Sequence, residues 1–245
     1  MRILGVMPVR NEADRWLDAS LSWQKNFLDD IFVYDDRSTD RTLQIALKHT
    51  PNVKVRSEDE PSFLEHEGKF RQNCWNHMEE ALRPVDGDWI LAFDADEFAT
   101  GGFHYSIRDG LEMLAESAEA AKHNCCMIAV PEVWEHVDKL YVRVDGFWKN
   151  KSPRFVKWLP NGTFRNKKMG CGSTPEQNDN PLTSIHAISV LHFGYSLEKD
   201  RMERYQRYTS MKNHGHNPKH IKSILEKPTL IERRDPAPKI WLGER

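Results

Sequence analysis

Trp89-Ile-Leu-Ala-Phe-Asp94-Ala-Asp96-Glu97-Phe98 is a short apolar run that stops on two acidic residues spaced one apart. A run of that length bounded by polar residues predicts a buried central strand. Its carboxylates then stand at the strand's carboxyl end, where open α/β sheets bind ligands. Carboxylates brought close repel each other unless a cation lies between them, and hard oxygen donors favour magnesium or manganese over zinc. Solvated strand-end acids would be spelled the same way, so the reading turns on the flanking sequence.

Upstream, strand and helix patterns alternate as a parallel sheet with crossover helices requires. Residues 2–7 predict a strand, 13–27 a helix, 31–34 a strand and 53–55 another. Between them Ser38, Thr39 and Asp40 are expected to cap a helix reaching His49. A long helix is expected from about Lys69 to Leu82, with a turn at 84–88 before the strand at Trp89. The expected fold class is therefore α/β: a Rossmann-like, mostly parallel sheet flanked by helices, with a smaller second lobe. Downstream come a helix over 107–122, strands at 127–130, 140–144 and 154–158, a loop over 160–181, a late strand at 185–193 and a helix over 197–213. From Pro228 the chain, with Pro236 and Pro238, reads as an extended tail. Three stretches follow from this division of one continuous domain: 1–100, 101–196 and 197–245.

Pro8-Val9-Arg10-Asn11-Glu12 follows the first strand and Asp35-Asp36-Arg37-Ser38-Thr39-Asp40 ends the second. Parallel strands deliver both clusters to the rim that carries Asp94 and Asp96. An aspartate there can accept from a base or from ribose hydroxyls. Neither a G-x-G-x-x-G turn nor a P-loop follows the first strand, so a glycine loop does not cradle phosphate.

Together, P-V-R-N-E, Asp35-Asp36-Arg37-Ser38-Thr39-Asp40-Arg41-Thr42, Gly68-Lys69-Phe70-Arg71-Gln72-Asn73 and D-A-D resemble the family-2 nucleotide-sugar glycosyltransferases of the GT-A fold. The resemblance covers about residues 1–100. It implies a metal-dependent hexosyltransferase that uses a nucleotide-diphospho-sugar, UDP-glucose or UDP-galactose, with Mn2+ or Mg2+ as cofactor. Pro8, Val9, Arg10 and Glu12 would line the nucleotide pocket, Asp36 would contact a uracil-like base, and Lys69 or Arg71 would lie near the phosphates. Asp94, with Ala95, would approach ribose and metal, and Asp96 would ligate the metal. A late histidine often completes such coordination; His192 is the candidate and His186 the reserve. A sugar-phosphate nucleotidyltransferase and an inactive nucleotide-binding module are the alternatives.

An inverting transfer needs a carboxylate to take the acceptor's proton. The usual Glu-Asp pair is not evident after D-A-D, which leaves Glu132, Glu135, Asp138, Asp145 and Glu176. Asp145 is favoured, as a lone acid in a basic, aromatic stretch, with Glu176 second. Trp134, Trp148 and Trp158 are candidates for sugar stacking, and the Tyr205, Tyr208, Met211 stripe for packing.

Composition narrows the class. Hydrophobic residues make up 39% and charged residues 29% of 245, as in globular chains. No apolar run approaches the roughly 18 residues of a membrane span, and no signal-peptide pattern opens the chain, so a cytoplasmic location is expected. The four cysteines form no C-x-x-C pair and read as reduced structural thiols. Net charge is −2, yet residues 139–168 hold nine Lys/Arg against Asp145 alone, which favours an anionic acceptor.

Overall fold

The computed structural model describes residues 1–101, 105–135, 139–145, 149–176, 182–183, 188–210 and 218–233. Asp138, Trp148 and His186 lie outside these, as do Met211 and residues 234–245.

Four strands run parallel in the first half: β1 (Ile3–Val9), β2 (Asp30–Asp35), β3 (Val53–Val55) and β4 (Trp89–Ala92). They are joined by α1 (Leu17–Gln24), α2 (Thr42–His49) and α3 (Glu67–Leu82). Then follow β5 (Glu97–Gly101), α4 (Ile107–Ala120), β6 (Cys125–Pro131), β7 (Val133–Glu135), β8 (Leu140–Arg143), β9 (Lys149–Lys157), β10 (Leu182–Thr183) and β11 (Ile188–His192). The described chain finishes with α5 (Glu198–Ser210), α6 (Pro218–Ser223) and β12 (Leu230–Arg233).

Among the described residues nine strands form one sheet in the order β3-β2-β1-β4-β9-β6-β11-β5, with β10 beside β6. Strands β9 and β5 run antiparallel to their neighbours, so the sheet is mixed but mostly parallel. Alternation explains its two cores. Ile3, Met7, Val33, Trp89 and Leu91 face α1, α2 and α4, whereas Leu4, Val6, Phe32, Tyr34 and Ile90 face α3. Both faces are covered, and for that reason β1, β4 and the interior of β2 (31–34) are apolar rather than alternating with polar residues.

A second sheet, β12-β8-β7, is antiparallel and smaller. Against it Trp134, Tyr195, Tyr208, Ile221 and Ile224 form a cluster that ties α5 and α6 to the body. Trp134 is buried between two guanidiniums, Arg143 at 4.6 Å and Arg201 at 5.0 Å from its ring. It therefore has no face open to a sugar. Trp158 donates to Glu79 at 2.8 Å and packs beside α3.

The structure departs from sequence expectation in several elements. Helix α2 begins at Thr42, not at the Ser-Thr-Asp run: of those three, Asp40 alone meets the helix start, accepting from Thr42 N at 2.9 Å. The stretch after D-A-D is strand β5, whose spelling Glu-Phe-Ala-Thr-Gly carries no alternation. Strands β7 and β12 and helix α6 also escape the pattern reading, being three to six residues long. No helix among the described residues is long and apolar enough to cross a membrane.

Phe155 of β9 is fully buried, with its ring 4.9 Å from that of Trp89. Phe155→Ala is expected to cost about 3–5 kcal/mol in urea unfolding, through lost burial and the cavity left behind. A loss below about 1 kcal/mol would mean the strand order at β4-β9 is not as described.

Candidate functional site

Because β1, β2 and β4 are parallel, with Val9 opposite Asp35 and Val6 opposite Ala92, their carboxyl ends meet along one rim. A cavity of about 390 Å³ opens there. Pro8, Val9, Arg10, Glu12, Asp36, Arg71, Asp94, Ala95 and Asp96 all line it. Lys69 does not: it is exposed, and its backbone N–H is taken by the His66 side chain that caps α3. Phe70, from the 68–73 segment, lines it too, and lining residues with no motif behind them are Phe63, Leu64, Glu67, Met169, Gly170, Arg204, Arg207 and Tyr208.

The two loops on the rim are stapled together. Ser38 Oγ accepts from Asn11 N at 2.9 Å, Asn11 Oδ1 from Thr39 N at 2.8 Å, Asp40 from Ala13 N at 3.1 Å and Thr42 Oγ1 from Glu12 N at 2.7 Å. Asn11 and Arg37 adopt positive φ of 54° and 58° to make these turns. Much of both motifs is thus spent on shaping the rim. What remains for a ligand is Asp36, buried, and oriented by Arg56 Nε at 2.5 Å, Phe63 N at 3.2 Å and Arg10 at 3.3 Å.

Beneath the D-A-D turn, Glu97 is fully buried and acts as an anchor. One oxygen accepts from Asp94 N at 2.9 Å and the other from Arg154 at 2.6 Å. Burial pushes its carboxyl up to about 7 against the pull of Arg154. The same guanidinium lies 4.0 Å from Asp94. Asp94 and Asp96 are therefore held by a residue that reads, in sequence, as their mere continuation.

Asp96 sits in a chain of charges. Its Oδ1 is 3.3 Å from His192 Nε2 and its Oδ2 2.7 Å from Arg204. His192 Nδ1 meets Glu132 at 2.5 Å. Pairing of β11 with β5 sets His192 opposite Glu97, and an isolated bridge joins it to Glu132, so backbone register brings His192 and Glu132 to the D-A-D turn, whereas Arg204 arrives on α5. Burial opposes charge on both Asp96 and His192. For Asp96 the attraction of His192 and Arg204 wins and its carboxyl falls well below the usual range. For His192 the two carboxylates win and the imidazole is held well above 6.5.

These residues do not, as arranged, fit a divalent cation. Both Asp96 oxygens and both His192 nitrogens already have partners, and an imidazole lying between two carboxylates offers no lone pair to a metal. Among the described residues, no group of three His, Cys, Asp or Glu is disposed to hold an ion.

The two carboxylates expected to act as base lie outside the cavity lining. Asp145 is bidentate to Arg143, at 2.7 and 3.0 Å, and accepts from Thr229 N; the pairing lowers its carboxyl to about 2. Glu176 is exposed and paired with Arg165 at 2.7 Å. The basic stretch is also partly neutralised: Lys139, Arg143, Arg154, Lys157 and Arg165 each have a carboxylate partner.

The family model described as glycosyl transferase family 2 matches residues 6–156, more than half of the chain. Uncharacterized proteins of Mycobacterium bovis and Mycobacterium tuberculosis are each 38% identical over 105 residues, 39% of this chain and 25% of theirs. The match thus spans about a quarter of the length of these curated relatives. Among solved structures, S. aureus TarS 1–349 is similar over 92% of this chain and 69% of its own, at 16% identity and a TM-score of 0.45. Mannosyl-3-phosphoglycerate synthase from Rubrobacter xylanophilus is similar over 54% and 41%, at 23% identity and a TM-score of 0.37.

Glu12 supplies a pH test of the rim. Its Oε2 is buried without a partner, and burial, followed by the Asp96 charge, raises its carboxyl from 4.5 to about 8. Between those values the folded chain keeps a proton the unfolded chain has released, so rising pH disfavours folding. The melting temperature of the wild type is expected to fall more steeply from pH 5 to 8 than that of Glu12→Gln. Parallel profiles would show that Glu12 is ionised in the fold.

Proposed function

The chain belongs to glycosyl transferase family 2, and from that premise we propose that it moves a hexose, with inversion, from a UDP-linked donor to an acceptor hydroxyl. The observation that carries this reading is the single cavity shared by Asp36, Asp94 and Asp96 with the guanidiniums of Arg71, Arg204 and Arg207. Such a mixture suits a ligand with a polar, uncharged end and a dianionic middle.

Asp36 would accept from the imide N–H of the base, since its orientation is fixed and the imide is a donor. Phe63 and Phe70 line the same end and offer apolar faces to the ring. Asp94, half-buried at the turn above Glu97, would accept from ribose hydroxyls. Uridine is chosen because Asp35–Thr42 resembles the family's base-binding motif.

Cleavage of the anomeric bond places negative charge on the departing diphosphate and positive character on the sugar ring. Fixed cations facing the diphosphate lower that barrier because they are already oriented and partly desolvated. Arg71 is held by Glu67 at 2.9 Å, and Glu67 in turn accepts from Gly170 N, so the 165–170 loop and the α3 start are locked together beside the phosphates. For Asp145 or Glu176 to take the acceptor's proton, the segment bearing it would have to close over the cavity. An anionic acceptor would meet Arg207 on the cavity wall.

Incubating the chain with radiolabelled UDP-glucose or UDP-galactose tests the reading: slow release of UDP is expected, faster with the correct acceptor. Asp36→Ala should weaken UDP binding by about tenfold, the worth of one or two oriented hydrogen bonds. Release of pyrophosphate from a nucleoside triphosphate would favour the nucleotidyltransferase instead. Tight UDP binding with no turnover of any donor would leave a binding module.

A further inference from the structure

Arg204 is the one residue of the charge chain that comes from α5, and its position is built with some care. Its Nη2 lies 2.7 Å from Asp96 Oδ2 and 3.5 Å from His192 Nε2, its guanidinium stacks over the Tyr195 ring at 4.8 Å, and it lines the cavity. Its Nε is buried with no hydrogen-bond partner, a donor left over beside the cavity.

Gly194 makes room for it. A Cβ there would lie 2.6 Å from Arg204 Cζ and 2.6 Å from His192 Nε2, so any side chain at 194 would push the guanidinium off Asp96. The charges close on themselves as well. Two carboxylates, Asp96 and Glu132, face two cations, His192 and Arg204. A divalent ion added at Asp96 would meet a guanidinium already seated there.

We propose that Arg204 is the resident cation of this site: it occupies at Asp96 the position a divalent ion would need, and meets the donor diphosphate itself, together with Arg207. Nucleotide binding by this chain then requires no divalent metal. The inference rests on the nucleotide-sugar reading above and specifies which charge that site uses. Arg204 serves both partners because guanidinium is a fork: one edge bonds Asp96 while the orphan Nε–H and the remaining edge stay available to phosphate oxygens. Tyr195 and Asp96 hold the plane of that fork, so little ordering is left for the moment of binding.

The test is calorimetry of UDP on the full chain, once in EDTA and once in excess Mn2+. The wild type is expected to bind UDP equally in both, within about threefold. Arg204→Met should weaken binding in EDTA by about tenfold or more, the loss of a charge-assisted pair, and Mn2+ should then restore part of it. Gly194→Ala should do the same while keeping its circular dichroism spectrum, with a lowered melting temperature, because the added methyl pushes the guanidinium off buried Asp96 and crowds the His192 ring. Wild-type binding that appears only with Mn2+ would overturn the role of Arg204 while leaving the nucleotide reading intact. Metal-independent binding unaffected by either variant would also overturn it. Absence of UDP binding in both buffers would overturn the two readings together.

Discussion

A carboxylate taken out of water must be matched by positive charge, and Asp96 is matched twice, by His192 on the sheet and by Arg204 on α5. Burial of an unpaired ion costs several kcal/mol, of the order that separates folded from unfolded chains. The pairing is therefore a constraint on the whole molecule. It requires β11 to lie beside β5 in a register that sets His192 opposite Glu97, and α5 to cross the rim with Arg204 pointing inward. It also requires Glu132 to close the other side of the imidazole. Breaking any one member leaves a buried charge without its complement.

The same logic operates one layer down. Glu97 and Arg154 bury a second ion pair, and Glu97 spends its other oxygen on the backbone of the D-A-D turn. Arg154 belongs to β9, the antiparallel strand inserted between β4 and β6. The antiparallel insertion thus does what a further parallel strand could not do as directly: it brings a basic side chain under the carboxyl end of β4. The turn gains rigidity from below and charge from above. If the site holds the dianion of the proposed donor, both would help, since pre-set donors need not reorganise as charge develops.

These relations mark the limit of what local sequence can reveal. The parallel half was legible because β1, β2 and β4 are apolar runs ending in polar clusters, and eight of the residues singled out from those clusters, with Arg71 from α3, do line one cavity. Glu97 was visible but not interpretable, because its partner lies 57 residues away. Arg204 and Arg207 sit on a helix with five other basic or acidic residues and read as a solvated face; nothing in their spacing separates them from surface charge. The one local trace was Gly194, in His192-Phe193-Gly194-Tyr195, whose missing side chain becomes meaningful only when Arg204 is seen against it. Asp145 drew attention as a lone acid among bases, and the same surroundings explain its bidentate hold on Arg143.

The division of labour along the chain follows from this. The region shared with the family ends at 156, and it carries the rim loops, the D-A-D turn and their support from Arg154. Met169, Gly170, His192, Arg204, Arg207 and Tyr208 come from beyond it, and apart from His192 they line the other wall of the cavity. A nucleotide would be gripped mainly by the shared wall, where hydrogen-bonding geometry is stapled into the backbone. The groups that would face the diphosphate of such a ligand come mostly from the later segment, held by side-chain packing around Trp134 and Tyr195 rather than by the central sheet. Packing of that kind can be exchanged without disturbing the parallel core. On the proposed function, the sheet rim would then carry donor recognition, and the later segment would set charge balance and acceptor choice.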